Sequence, residues 1–208
     1  MATLVSPKTK MIIINTPHNP TGTTLKEKDL KALEQLTKDT NILVLSDEVY
    51  EHLIYDRKDH QSVLRFPELL KRSLAVYSFG KTFHNTGWKV GYVVAPEYLM
   101  KEFRKVHQFN VFCANHPMQM AFADYLKEES HYLALSAIYQ EKRDYFLEGI
   151  KDSRFKFVPS SGTYFQLLDY STISDEHDVD FAKRLAKEYK IATIPVSVFN
   201  TKNLDQKM

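Results

Sequence analysis

The sequence predicts an α/β fold: a mostly parallel sheet with flanking helices, followed by a smaller α+β unit. Two observations carry this. Short apolar runs alternate with helical patterns through the first half of the chain, as in βαβ units, and after about residue 96 the pattern turns to successive helices. Met11 to Asn15 reads as a buried strand, ended by Thr16-Pro-His-Asn-Pro-Thr-Gly22, whose two prolines and glycine cannot continue it. Thr23 or Thr24 is placed to cap a crossover helix from Leu25 to about Asp39, with Leu30, Leu33 and Leu36 along one face. Asn41 to Ser46, Leu74 to Ser78 and Val90 to Ala95 supply the next three strands. Helices are then expected over Glu97 to Phe109, over Pro117 to Lys127 with proline in the first turn, and over Tyr132 to Ile150. Phe155 to Val158 and Thr163 to Leu168 read as a strand pair, followed by a helix from Val179 to about Tyr189 and a short strand near Ile191. These divisions suggest a large domain over residues 1–130 and a smaller one over 131–208, joined through the long helix.

Composition narrows the function. With 208 residues the chain is long enough for a substantial core, and 43% hydrophobic against 26% charged residues is a globular balance. Lys and Arg number 28 against 26 Asp and Glu, which leaves no basic footprint for nucleic acid, so none is expected as a partner. No apolar run approaches the length that spans a bilayer, so no membrane association is expected. The single Cys113 cannot form an internal disulfide and no zinc spacing is present, which points to a reducing cytoplasm and to no bound metal.

In open α/β sheets ligands bind beyond the carboxyl ends of the strands, so the residues just after each apolar run come first. The first run leads into Asn19, the second into Asp47 with Tyr50 three residues on, and the third into Ser78 with Lys81 three residues on. An amide, an acid, a phenol and a lysine at one sheet edge suit pyridoxal phosphate, because each polar part of that cofactor needs a different partner. The Lys81 amine suits the Schiff base. Asp47 suits the pyridine nitrogen, which a nearby carboxylate keeps protonated. Tyr50 and Asn19 suit the ring oxygen, and the Ser78 hydroxyl with the Lys89 cation suits the phosphate.

Each of these residues also has a plainer reading. Asp47 can cap a turn, Ser78 can end a strand, Tyr50 can pack its ring, Asn19 can stabilise a proline-flanked turn and Lys89 can stack on Trp88. His84 is expected to line the entrance to the site rather than act as its base. Taken together rather than singly, the residues favour the cofactor.

Asn19-Pro-Thr-Gly22, Ser46-Asp-Glu-Val-Tyr50, Ser78-Phe-Gly-Lys-Thr-Phe83 and Thr86-Gly-Trp-Lys-Val-Gly91 occur in the order of successive cofactor motifs. In this the chain resembles the class I and II aminotransferases of fold type I, which use pyridoxal phosphate. The resemblance implies that Lys81 is the Schiff-base lysine and proton shuttle, Asp47 the nitrogen partner, Tyr50 and Asn19 the ring-oxygen partners, and Ser78 and Lys89 the phosphate ligands, with Asn19 also facing substrate. Many relatives carry arginine where Lys89 stands; lysine keeps the charge without the bidentate fork. Asn115-His-Pro-Met-Gln119 and Ser161-Gly-Thr-Tyr-Phe165 look most like the methionine and kynurenine/glutamine branch, with methionine the first-choice donor and a 2-oxo acid the acceptor. The family is usually homodimeric, so a homodimer is expected.

The similarity corresponds to the later half of a family chain. A glycine-rich phosphate loop and a ring-stacking aromatic upstream, and an arginine for the substrate carboxylate after Ile194-Pro-Val-Ser-Val-Phe199, have no counterpart here; Arg143, Arg154 and Arg184 do not stand at that place. The expectation is therefore a fragment, cut at both ends, that alone binds cofactor weakly and transaminates poorly. Three competing functions are weighed: β-elimination from cysteine S-conjugates on the same scaffold, a non-catalytic truncated module, and a nucleotide-binding α/β domain. The last lacks any glycine-rich phosphate turn after a strand.

Overall fold

The structure, a computed structural model, describes residues 2–202 and 204–208. Four strands form one sheet in the order β1-β2-β3-β4: β1 Met11–Asn15, β2 Leu43–Asp47, β3 Ser73–Ser78 and β4 Gly91–Val94. β1, β2 and β3 run parallel and β4 antiparallel to β3. The sheet is thus mostly parallel, and its first three strands end on one side. The register sets Asn15 beside Asp47, Asp47 beside Val76, and Ser78 beside Gly91.

The helices are α1 Glu27–Thr37, α2 Pro67–Leu70, α3 Phe79–Thr82, α4 Glu97–Asn110, α5 His116–Tyr125, α6 Ser130–Leu133, α7 Leu135–Ile150 and α8 Asp178–Arg184. Side chains alternate across each strand, so Ile12, Ile14, Val44, Ala75 and Tyr77 point to one face. There they are buried with Leu30 and Leu33 of α1 and with Ile42, Val63, Phe66 and Leu69. The opposite face is more open, with Ile13 68% exposed. Among the described residues no helix is long and apolar enough to cross a membrane.

Two compact units emerge: residues 1–141 with 161–165, and residues 142–160 with 166–208. The division falls inside α7, after residue 141, whereas sequence reading placed the change at residue 131. The second unit has its own small core. Tyr170 stacks on Phe181 at 4.2 Å, and the buried Asp178 accepts 2.7 Å hydrogen bonds from the backbone N–H and hydroxyl of Ser197.

Five local expectations need correction. The strand pair over 155–158 and 163–168 does not form: only the Lys156–Asp169 bridge survives. The reason is local competition, because the Gln166 side chain accepts from Ser160 N–H and donates to the carbonyls of Val158 and Leu167. No strand forms near Ile191, where Lys190 turns left-handed at φ 61°. The long helix breaks at Ala134 into α6 and α7, and the helix expected up to Tyr189 ends as a π-helical turn over Leu185–Tyr189. Helix α1 starts after Lys26 rather than Thr23 or Thr24: the Asp29 carboxylate, three residues on, accepts the Lys26 N–H at 2.8 Å.

Candidate active site

The carboxyl ends of β1 and β2 are tied together by Asn15. Its Nδ2 donates to the Asp47 carbonyl at 3.0 Å, and its Oδ1 accepts the backbone N–H of Asn19 at 2.8 Å. The Thr16 N–H donates to the same Asp47 carbonyl at 3.0 Å. The turn that follows closes through Gly22 N–H to His18 carbonyl at 2.9 Å, with Gly22 at φ 66°, a conformation that glycine adopts without strain. Asn19 is thereby brought back beside the end of β2.

Asp47 is half-buried; its Oδ1 accepts the Val49 N–H at 3.3 Å, while Oδ2 has no hydrogen bond among the described residues. Three residues on, Tyr50 is 2% exposed, with its hydroxyl 3.3 Å from that of Tyr164. Burial, the Tyr164 contact and the Asp47 charge all push the Tyr50 phenol above its ordinary pKa, and the nearby Asn19 amide pulls the other way. The Lys81 ammonium lies 5.8 Å from the centroid of the Tyr50 ring, within cation–π range. It makes no hydrogen bond or ion pair among the described residues. Asn19, Asp47 and Lys81, from three different segments, therefore surround one phenol.

Helix α3 carries Lys81 here. Ser78 caps its N-terminus by backbone alone, and Phe79 and Phe83 stack on the buried Phe122 at 4.8 and 5.7 Å. The backbone passes so close to the next turn that a Cβ on Gly80 would lie 3.0 Å from the Thr86 Cα.

Ser78 and Lys89 are less engaged. The register puts Ser78 opposite Gly91, so Lys89, two residues earlier, lies at the same end of the sheet. No hydrogen bond or ion pair joins either side chain to the other four residues, and Lys89 makes no ring contact with Trp88 among the described residues. Lys89 is exposed at φ 55°, while Trp88 packs on Phe122 at 5.3 Å. His84 is exposed, with Nδ1 3.2 Å from the Tyr139 hydroxyl. A cavity of about 540 Å3 opens behind α3, lined by Phe83, Asn85, Phe122, Leu135 and Ile138 among others; none of the six candidate residues lines it.

Three residues that shape the site were not singled out from sequence. Asn15 looked like the last residue of an apolar strand, although its place opposite Asp47 in the alternation was a usable signal. Tyr164 lies within Ser161-Gly-Thr-Tyr-Phe165, where no local pattern marks its hydroxyl. Glu48 follows Asp47 but faces the other side of β2, fully buried. Its carboxylate accepts from Ser46 Oγ at 2.8 Å, Val63 N–H at 3.0 Å and Tyr77 hydroxyl at 2.9 Å, and pairs with His60 Nε2 at 2.9 Å. Burial alone would raise its pKa, but the contacts with His60, Ser46 and Ser62 outweigh burial and hold it below the ordinary value.

Residues 1–205 match the family described as "Aminotransferase class I and II". The chain belongs to this family. Escherichia coli methionine aminotransferase is 49% identical over 95% of this chain and 52% of its own length, and mouse kynurenine–oxoglutarate transaminase 1 is 33% identical over 96% and 51%. Among solved structures, the E. coli protein YbdL, reported with a methionine aminotransferase function, superposes with TM-score 0.96 at 47% identity, covering 99% of this chain and 55% of that one. N-succinyldiaminopimelate aminotransferase from Mycobacterium tuberculosis gives 0.90 at 33% identity, over 95% and 52%. As a family member, the chain spans about half the length of the curated relatives it matches.

Proposed function

We propose that these residues carry the pyridoxal-phosphate site of a whole protein that transaminates a methionine-like or aromatic amino acid, with a 2-oxo acid as acceptor. The observation that carries this reading is the convergence of Lys81, Asp47 and Asn19 on the buried Tyr50 phenol. The donor set fits the cofactor: an amine without a competing acid, a carboxylate with one oxygen unengaged, a phenol and an amide. When bound, the cofactor supplies an imine-forming aldehyde and an electron-withdrawing ring.

Each residue then has one task. Lys81 would hold the cofactor through its amine and, when free, would take the proton from the substrate Cα. Asp47 would hold the pyridine nitrogen and keep it protonated. Tyr50 and Asn19 would donate to the ring oxygen, and Asn19 would also face substrate. Ser78 and Lys89 hold the phosphate, the lysine as a point charge rather than a fork. A homodimer and a cytoplasmic setting, the latter consistent with the one free thiol at Cys113, complete the proposal.

Borohydride reduction of the whole protein with pyridoxal phosphate, followed by peptide mapping, tests the assignment. The label is expected on Lys81, and Lys81→Ala should lower transamination by about 10²-fold or more. A label on another lysine overturns the site. Release of pyruvate and ammonia from a cysteine S-conjugate with no 2-oxo acid present would move the reading to β-elimination.

A further inference from the structure

Residues 161–165 lie between two stretches of the second unit, yet they belong to the first. Four backbone hydrogen bonds hold them there. The N–H groups of Ser161 and Gly162 both donate to the Gly22 carbonyl at 2.8 and 3.0 Å, Tyr55 N–H donates to Ser161 at 3.0 Å, and Thr163 N–H donates to Leu53 at 3.0 Å. The Tyr55 hydroxyl adds a bond to the Thr163 carbonyl. The fit is tight: a Cβ on Gly162 would lie 2.5 Å from the Leu53 oxygen, and Thr163 is held left-handed at φ 64°, which a β-branched residue adopts only under constraint.

This clamp delivers Tyr164 to the Tyr50 hydroxyl. The two rings meet edge to face at 5.3 Å and 88°, with hydroxyls 3.3 Å apart. Tyr164 is also flanked by Tyr139 at 5.9 Å and Phe165 at 4.8 Å, which limit its swing. It is 41% exposed where Tyr50 is 2% exposed, so it lies between that phenol and solvent.

We propose that Tyr164 is a positioning residue for Tyr50, acting through the contact between their hydroxyls. A phenol has one proton and two lone pairs. Tyr164, which can donate or accept, keeps the Tyr50 oxygen partnered whichever way the Tyr50 proton points. Tyr50 can then turn its proton to a ligand oxygen without leaving a buried polar atom unpaired. The inference rests on the cofactor reading above and assigns Tyr164 no contact with the cofactor.

The test titrates the protein loaded with pyridoxal phosphate, following the pH at which the near-visible absorption of the bound cofactor changes. In Tyr164→Phe, which keeps the ring and loses the hydroxyl, that pH is expected to move by roughly 0.5 units or more. Tyr139→Phe, whose ring alone touches Tyr164, should leave it unchanged. In a Tyr50→Phe background, adding Tyr164→Phe should produce no further shift, because the effect passes through Tyr50. A wild-type titration in Tyr164→Phe, or a shift that persists without the Tyr50 hydroxyl, overturns the inference while the cofactor reading stands. Wild-type protein with no cofactor absorption would instead sink the cofactor reading, and this inference with it.

Discussion

Asp47 and Glu48 are neighbouring carboxylates at the end of β2, and because side chains alternate they face opposite sides of one sheet. Glu48 is fully buried and takes four polar contacts, three of them from segments distant in sequence. Asp47 is half-buried and leaves Oδ2 without a hydrogen bond among the described residues. One acid is saturated by its own protein and the other retains binding capacity beside Tyr50 and Lys81. Acidity alone does not separate a structural from a chemical carboxylate here; unfilled hydrogen-bonding capacity does.

The largest effect should follow from removing the saturated acid. Glu48→Ala leaves His60, Tyr77, Ser46 and the Val63 N–H facing an empty, buried space, a loss expected at about 3–5 kcal/mol from urea unfolding. A loss under about 1 kcal/mol would erase the contrast. Acid should produce part of this loss without mutation. Because the Glu48 pKa is lowered in the fold, its contribution is present above the ordinary value of 4.5 and is lost as pH falls through the lower, folded value. His52, which burial holds below its ordinary 6.5, acts earlier in the same direction: its contribution is full above 6.5 and declines as pH falls through the folded value. Glu51 opposes them, since burial raises its pKa and its contribution is lost as pH rises through that raised value. Denaturant midpoints measured from neutral to acid pH should therefore fall. A flat profile would mean that Glu48 is not held ionised by its partners.

Tyr77→Phe should cost less, about 1–2 kcal/mol, because Glu48 keeps three of its four contacts and the ring can still stack on Tyr92 at 4.7 Å. A loss matching that of Glu48→Ala would show that the Tyr77 hydroxyl, rather than the carboxylate, holds the cluster together.

Much of this arrangement was legible because it is local. Each strand was found to within two residues, since alternation and turn residues act over a few positions. Asn19, Asp47, Tyr50 and Lys81 fall at or just beyond strand ends, where parallel topology gathers residues from separate segments. Glu48 and Tyr164 were obscured for different reasons. A carboxylate on the inward side just past β2 breaks the apolar alternation, and its four partners are scattered from Ser46 to Tyr77. Tyr164 lies in Thr163 to Leu168, whose β-rich composition reads as a strand, yet its backbone is bound by the loops around Gly22 and Leu53 instead. No local pattern announces such a return.

Asp47→Asn should be the quietest change in stability and the sharpest test of the contrast. Asparagine has nearly the same shape, and its oxygen can still accept the Val49 N–H, so the urea midpoint should stay within about 0.5 kcal/mol of wild type. What disappears is the charge. The Tyr50 phenol, which that charge helps push upward, should become easier to ionise, and a pyridine nitrogen would lose the anion that keeps it protonated. Transamination should fall while folding does not, and the two measurements must be made on the same preparation. If Asp47→Asn unfolds the protein as readily as Glu48→Ala does, the unengaged oxygen of Asp47 was no reserve of binding capacity, and the two acids are one structural unit.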